Sequence, residues 1–205
     1  ETPMEEEQRT YADTIKNSAE AMLVIINDVL DYSKIEADKL ALTPTAFDLR
    51  RALEEVMLLL RPAAQDKDVA LLLDFDLNVP DQVIGDPGRL RQVLTNLIGN
   101  AVKFTPEGHV VVTVACNGAV QDGAQQLFIG VEDTGIGIPA DMVDHIFGEF
   151  NQVEGERNRQ FEGTGLGLAI SQRLVKMMGS EIRIRSEEGV GSCFYFDIKL
   201  DVPAD

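Results

Sequence analysis

The sequence predicts an α+β fold in which helices cover one face of a single mixed, mostly antiparallel sheet, preceded by one long bundle-forming helix. Two observations support this prediction. Apolar residues recur at heptad spacing through the first forty positions, with no Gly or Pro between Met4 and Pro44, which is typical of a helix in a bundle or coiled coil. From Phe47 onward, helical and strand-like segments are mixed, as in an α+β sandwich.

The long amino-terminal helix is predicted from its apolar stripe. Ile15, Met22 and Val29 recur every seven residues, so they lie on one side of a helix. A helix packed on its own globular domain is the alternative. This alternative is weaker, because the stretch Thr43–Thr45, centred on Pro44, ends the helix with a linker-like break.

The rest of the chain is predicted to form a second domain, with the boundary placed between residues 1–43 and 44–205. A helix beginning at Asp86 is well marked, because Asp is a good N-cap residue and Pro87 fits the first helical position. Turns over 117–126 and around Glu188-Gly189 join neighbouring strands. The predicted helices are 49–67, 86–104 and 166–178, and the predicted strands are 69–75, 110–116, 127–131, 181–185 and 193–200.

Composition excludes several classes of function. The formal net charge of −17 argues against a surface that binds nucleic acid or anionic lipid, and no apolar run approaches the roughly 18 residues of a membrane span. Cys116 and Cys193 are predicted to be small buried hydrophobic residues in a reducing compartment. The chain opens with Glu1 rather than Met, so we expect a piece of a longer protein.

Three segments carry candidate chemistry. Residues 133–139 hold two glycines after a predicted strand, which alone indicates only a turn. Residues 163–168 (GTGLGL) open a predicted helix, where bare N–H groups and the positive helix end favour phosphate, although the pattern is neither a dinucleotide fingerprint nor a P-loop. Asn96, Asn100 and Lys103 share one helix face, and the apolar residues beside them place the amides at the edge of a pocket.

These segments resemble the motifs of sensor histidine kinases. Their order and separations are those of the family, and the resemblance implies the Bergerat ATP-binding fold, with helices layered on a mixed sheet and a mobile lid. Residues 10–40 resemble the second helix of the family's dimerisation and phosphotransfer hairpin, in the style of hybrid kinases. The four matching motifs are the N box, 86–105 (DPGRLRQVLTNLIGNAVKFT), the first glycine box, 131–139 (VEDTGIGIP), the F box, 146–151 (IFGEFN), and the second glycine box, 163–170 (GTGLGLAI).

The resemblance implies ATP and Mg²⁺ as ligands and assigns roles to individual residues. It places Mg²⁺ on Asn100, whose amide oxygen is a suitable hard ligand, and it directs Asn96 and Lys103 towards the phosphates. Asp133 is implied to accept a hydrogen bond from the adenine amino group. The remaining implied ATP-binding residues belong to the glycine boxes, the F box and the lid: Gly135, Gly137, Phe147, Phe150, Arg157, Arg159, Gly163, Thr164, Gly165, Leu166 and Gly167.

The phosphoacceptor of this family is missing from the sequence. The acceptor His stands in an H-E/D-x-R/K-T-P context, and no such sequence is present. His109 and His145, the two histidines of the chain, are not followed by an acidic residue, so structural or surface roles are expected for both. We therefore assign no catalytic residue within this chain and expect the hairpin helix that bears the acceptor to lie outside it.

The residue at position 96 distinguishes a kinase from a hydrolase. Relatives of this fold that hydrolyse ATP carry a Glu where Asn96 stands, and that Glu activates water. An amide cannot act as a general base at neutral pH. The resemblance thus implies a kinase that passes the γ-phosphoryl group to a histidine and from there to an Asp of a response-regulator receiver domain.

The implied partners are the acceptor-histidine helix of the same or a partner chain, a receiver domain, and a second copy bound through the amino-terminal helix. No nucleic-acid partner is expected, and the location is expected to be cytoplasmic whether or not the parent is membrane-anchored. Two other functions stay open. One is a non-catalytic, nucleotide-responsive regulatory or docking module, and the other is a helix-mediated oligomerisation scaffold that binds no nucleotide.

Overall fold

The structure, a computed structural model, describes residues 6–37, 39–148 and 165–204. The chain divides into two compact units, Glu1–Leu40 and Ala41–Asp205. The first unit is the helix α1 (Glu6–Glu36), which confirms the long helix predicted from the heptad stripe. None of the described helices is both long and apolar enough to cross a membrane.

The apolar stripe of α1 is exposed in the single chain. Ile15 is 69% exposed, Met22 62% and Val29 46%. Exposed apolar residues in a continuous row are typical of an interaction surface. The stripe of α1 is therefore a candidate interaction surface.

The second unit is a seven-stranded mixed sheet with helices on one face. The sheet order is β1-β3-β7-β5-β4-β2, with β6 paired to β7. β2 and β4 run parallel, whereas the other neighbours run antiparallel. The α+β prediction is thus confirmed. The elements are β1 (Thr45–Phe47), α2 (Leu49–Gln65), β2 (Val69–Phe75), β3 (Val83–Gly85), α3 (Pro87–Phe104), β4 (Gly108–Cys116), β5 (Ala124–Asp133), a 3-10 turn (Val143–His145), α4 (Gly167–Met177), β6 (Arg183–Glu187) and β7 (Gly191–Asp201).

The core lies between the sheet and the helices, because buried and partly exposed side chains alternate along the central strands. Val110, Val112 and Val114 of β4 are at most 1% exposed, and they point to the same face because side chains alternate along a strand. On α3, Leu94 and Ile98 are fully buried. This packing holds the apolar face of α3 against the sheet and leaves its polar face outside the core.

The predicted start of α3 is confirmed in detail. Asp86 is the N-cap, its side chain accepts a hydrogen bond from Arg89 N at 3.0 Å, and Pro87 is the first helical residue. Asp48 caps α2 in the same way by accepting from Arg51 N at 2.9 Å. These caps fix where each helix begins.

The sequence missed two short strands and misjudged the cysteines. Thr45, the last residue of the predicted break, begins β1, which pairs antiparallel with β3. Neither of these three-residue strands was predicted, since they are too short to show a period. Cys116 and Cys193 are free thiols but only half-buried. Cys116 is the last residue of β4, and Cys193 pairs with the exposed Glu132 on the face of the sheet away from the helices.

Candidate functional site

The first part of the site is the polar face of α3. Asn96 and Asn100 are half-buried there, one helical turn apart. Asn96 Nδ2 donates to Ser171 Oγ of α4 at 2.9 Å, and Asn100 Nδ2 approaches Asn96 Oδ1 at 3.5 Å. A Cβ on Gly167 would collide with the Asn96 side chain. The second glycine box therefore packs directly on the N-box amide.

The carboxyl end of α3 contacts the first glycine box. Ile136 N donates to Phe104 O at 3.2 Å. Just before it, Gly135 N donates to Asp133 Oδ1 at 2.8 Å. One helix thus touches both glycine boxes, through Asn96 near its middle and through Phe104 at its end.

The β6–β7 hairpin holds the same glycine loop from the other side. Gly189 N donates to Ile136 O at 2.7 Å, and Ile138 N donates to Ser186 Oγ at 2.8 Å. Gly137 has φ +65°, and a Cβ there would collide with Glu187 O. Glycine is needed at position 137 for backbone conformation and for close approach to the protein's own chain.

Asp133 is a buried carboxyl group of the site. It is the last residue of β5 and only 7% exposed. Burial raises the pKa of this carboxyl, and the N–H groups of Gly135 and Ser192 oppose the shift. Among the ion pairs of the described residues, none involves Asp133. A buried carboxylate without a cation is costly, so a ligand that donates hydrogen bonds would stabilise it.

Asn100 fits a magnesium ion that is shared with phosphates. Its Nδ2 faces Asn96, which leaves Oδ1 as the atom suited to a hard cation. Within the described ranges, no group of three or more His, Cys, Asp or Glu residues is placed to hold a metal. An ion at Asn100 would therefore take most of its ligands from phosphate and water, as Mg²⁺ commonly does.

The other predicted site residues are placed as follows. Lys103 lies in the last turn of α3, with Nζ 5.1 Å from the centroid of the Phe104 ring. Phe147 packs edge-on against Phe194, with ring centroids 6.3 Å apart. Gly165 has φ +69°, and Leu166 is 2% exposed at the start of α4. The predictions for Phe150, Arg157, Arg159, Gly163 and Thr164 lie outside the described residues.

Two serines of the site were not predicted from the sequence. Ser171 is 1% exposed among the apolar residues of α4. In the sequence, a serine on the apolar face of a predicted helix could have indicated a buried hydroxyl with a polar partner. Ser192 pairs with Asp133 across β5 and β7 and lies 2.8 Å, Oγ to Oγ, from Ser186. No local signal marks Ser192, since the predicted strand began one residue later.

Comparison with known proteins gives two family matches. Residues 85–202 match the family described as histidine kinase-, DNA gyrase B-, and HSP90-like ATPase. Residues 1–38 match the His Kinase A (phospho-acceptor) domain. The first match covers more than half of the chain and includes α3, both glycine boxes and β7.

Individual relatives agree with these matches. The signal transduction histidine-protein kinase BarA of Escherichia coli (strain K12) is 46% identical over 195 residues, covering 95% of this chain and 21% of BarA. The sensor protein GacS of Pseudomonas syringae pv. syringae is 45% identical over 193 residues, covering 94% and 21%. The chain therefore spans about a fifth of the length of these two curated relatives.

A solved structure shares the fold. The crystal structure of full-length ShkA in complex with AMPPNP superposes with a TM-score of 0.82 at 33% identity, covering 100% of this chain and 41% of ShkA. The predicted arrangement of helices on a mixed sheet is thereby confirmed by an experimental structure.

Proposed function

Because this chain belongs to the histidine kinase-, DNA gyrase B-, and HSP90-like ATPase family, we propose that it is the ATP-binding catalytic portion of a two-component sensor histidine kinase. It presents the γ-phosphoryl group of ATP to a histidine outside the chain, from which the group passes to an Asp of a response-regulator receiver domain. The observation that carries this proposal is the position of α3, which contacts the first glycine box through Phe104 O and the second through Asn96, on which Gly167 packs.

The adenine end of the site is assigned to Asp133. Its buried carboxylate already accepts from Gly135 N at 2.8 Å, and it retains acceptor capacity for an exocyclic amino group. Adenine carries such a donor, whereas guanine presents an acceptor at the equivalent position. The buried carboxylate therefore selects adenine.

The phosphate end is assigned to Asn100 and Lys103 on α3 and to the glycine box at the start of α4. Bound Mg²⁺ supplies charge neutralisation for the phosphates, with Asn100 as its protein ligand. Lys103 contributes a positive charge, and the start of α4 provides the backbone N–H groups and the positive dipole end that favour phosphate. Positioning and charge neutralisation are the main requirements of phosphoryl transfer.

A kinase is favoured over a hydrolase because of Asn96. Its amide has no basic atom with which to take a proton from water. Moreover, its Nδ2 is bonded to Ser171 and its Oδ1 faces Asn100. We therefore expect the site to hold ATP until a histidine is presented rather than to spend it on water.

In this proposal residues 1–43 form the second helix of a dimerisation and phosphotransfer hairpin, and residues 44–205 form the catalytic domain. The match of residues 1–38 to the phospho-acceptor family supports this division. The exposed stripe of α1 provides the surface for the acceptor helix and for a second copy of the chain. A cytoplasmic location follows from the proposed partners, since ATP and a receiver domain are both found there.

Calorimetric titration of ATP into the chain, with and without Mg²⁺, tests the proposal. We expect saturable binding that Mg²⁺ strengthens, and no release of inorganic phosphate. In the Asn100→Ala variant, the gain in affinity on adding Mg²⁺ should be largely lost. A chain that is folded but binds no ATP would contradict the proposal and favour a regulatory or docking module instead.

A further inference from the structure

The carboxyl end of α3 has an unusual set of hydrogen-bond partners. The last four carbonyl groups of an α-helix have no partner within the helix. Ala101 O accepts from Thr105 Oγ1 at 2.7 Å, and Phe104 O accepts from Ile136 N at 3.2 Å. The carbonyl groups of residues 102 and 103 lie between these two and need a donor from elsewhere in the chain.

Lys67 supplies that donor from a different part of the fold. Its Nζ donates to Lys103 O at 2.6 Å and to Val102 O at 3.1 Å, and it lies 3.5 Å from Thr105 O. Lys67 is half-buried in the turn between α2 and β2, about thirty-five positions earlier in the chain. Its ammonium group lies at the negative end of the helix dipole, where a cation is stabilised.

We infer that Lys67 is a positioning residue of the nucleotide site. It holds the last turn of α3, which carries Lys103 and which binds the first glycine box through Phe104 O. It thereby fixes the distance between the phosphate side of the site and the adenine side, where Asp133 lies. This inference rests on the proposed function, because it concerns the same ATP site.

The chemistry of lysine explains why this residue type serves the role. An ammonium group has three donors on a flexible stem, so one side chain bonds several carbonyls that converge at a helix end. Without it, the part-buried carbonyls of Val102 and Lys103 lose the hydrogen bonds that Lys67 donates, and the last helical turn loosens. Since displacements of about 1 Å are enough to weaken a positioned site, a loosened turn should reduce ATP affinity in a protein that is still folded.

The test compares Lys67→Met with Lys67→Arg in the whole chain. Mg·ATP is titrated at a temperature at which each variant is folded by circular dichroism. We expect Lys67→Met to weaken ATP binding about tenfold, by analogy with residues that orient metal ligands, whose loss costs roughly 10- to 100-fold. Lys67→Arg keeps the charge and several donors and should recover most of the affinity. Lys199→Met, at an exposed lysine of β7, should bind as the wild type does.

A core variant separates positioning from general stability. Val114→Ala removes two methyl groups from β4, where Val114 is 1% exposed, and it should lower the melting temperature while leaving ATP affinity unchanged when folded. If Lys67→Met binds ATP as tightly as the wild type at a temperature at which it is folded, the inference is wrong. It is equally wrong if Val114→Ala, matched in melting temperature, loses as much affinity.

Amide hydrogen exchange decides the inference independently of ATP. In the ATP-free protein, Lys67→Met should speed exchange of the Ile136 N–H, which donates to Phe104 O, more than Val114→Ala does. Unchanged exchange at Ile136 would overturn the inference. If the wild type binds no ATP while exchange at Ile136 responds to Lys67, the proposed function fails and the link between α3 and the glycine loop stands.

Discussion

Replacing Asp133 with Asn tests the adenine side of the site with a minimal change in shape. The carboxylate has two acceptor oxygens, of which Oδ1 accepts from Gly135 N at 2.8 Å, and the proposed ligand donates to the carboxylate as well. Asparagine offers one acceptor and one NH₂ donor. Whichever way the amide is turned, its NH₂ meets another donor, either Gly135 N–H or the adenine amino group.

The magnitude follows from the burial of this residue. Asp133 is 7% exposed, so water does not replace the lost partner. A hydrogen bond to a charged group contributes about 1.5–3 kcal/mol. That energy corresponds to a rise in Kd of about 10- to 160-fold. We therefore expect Asp133→Asn to bind ATP at least about tenfold more weakly than the wild type.

Calorimetric titration of ATP measures this change, with Glu132→Gln as the matched control. Glu132 is the preceding residue on β5 and is exposed on the opposite face of the sheet, so the same removal of charge there should leave Kd unchanged. Thermal unfolding should confirm that both variants are folded at the temperature of the titration. A folded Asp133→Asn variant with wild-type affinity would refute the assignment of Asp133 to adenine.

Three further predictions concern stability and association. Burial raises the pKa of Asp133 above its ordinary 3.8, because the folded protein favours the neutral carboxyl. The resulting stabilisation of the wild type is fully present below pH 3.8 and is lost as the pH rises through the raised pKa. The free energy of unfolding of Asp133→Asn minus that of the wild type should therefore grow as the pH rises above about 4 in urea titrations, and a constant difference would contradict the shift. Gly137→Ala should cost about 2 kcal/mol or more in urea unfolding, since its φ is +65° and a Cβ meets a backbone carbonyl; Gly123→Ala, at φ +75° with open space around it, should cost less, and equal costs would refute the collision. Met22→Asp, on the exposed stripe of α1, should lower the sedimentation coefficient by preventing self-association, whereas a wild type that is strictly monomeric would count against the dimer.

The sequence predicted the elements that carry local signals. α3 was placed because Asp86 and Pro87 mark its start and a helical apolar period follows, and the structure has the same cap. β2 was predicted with its observed bounds, Val69–Phe75, since polar turn residues flank a β-branched and aliphatic run. In contrast, β1 and β3 have three residues each, too few for an alternation to be visible.

The site was predictable where motifs carry it and unpredictable where distant residues complete it. Asp133 and Asn100 stand in recognisable motifs, although their assigned roles remain predictions. Lys67 in the sequence is one charged residue in a polar turn. Its contact with the carbonyls of α3 depends on how α2 and α3 pack, and packing between elements leaves no local pattern. Ser171 is intermediate, since a hydroxyl on an apolar helix face indicates a buried partner without identifying Asn96.

Transfer of phosphate in trans tests the central claim most directly. The chain is incubated with γ-labelled ATP and Mg²⁺, with and without a helical hairpin that bears a histidine in the H-E/D-x-R/K-T-P context. The account predicts label on the hairpin histidine, dependent on Asn100 and Asp133, and no release of inorganic phosphate when the hairpin is absent. Steady release of phosphate without the hairpin, or a hairpin that stays unlabelled while ATP is bound, would contradict it.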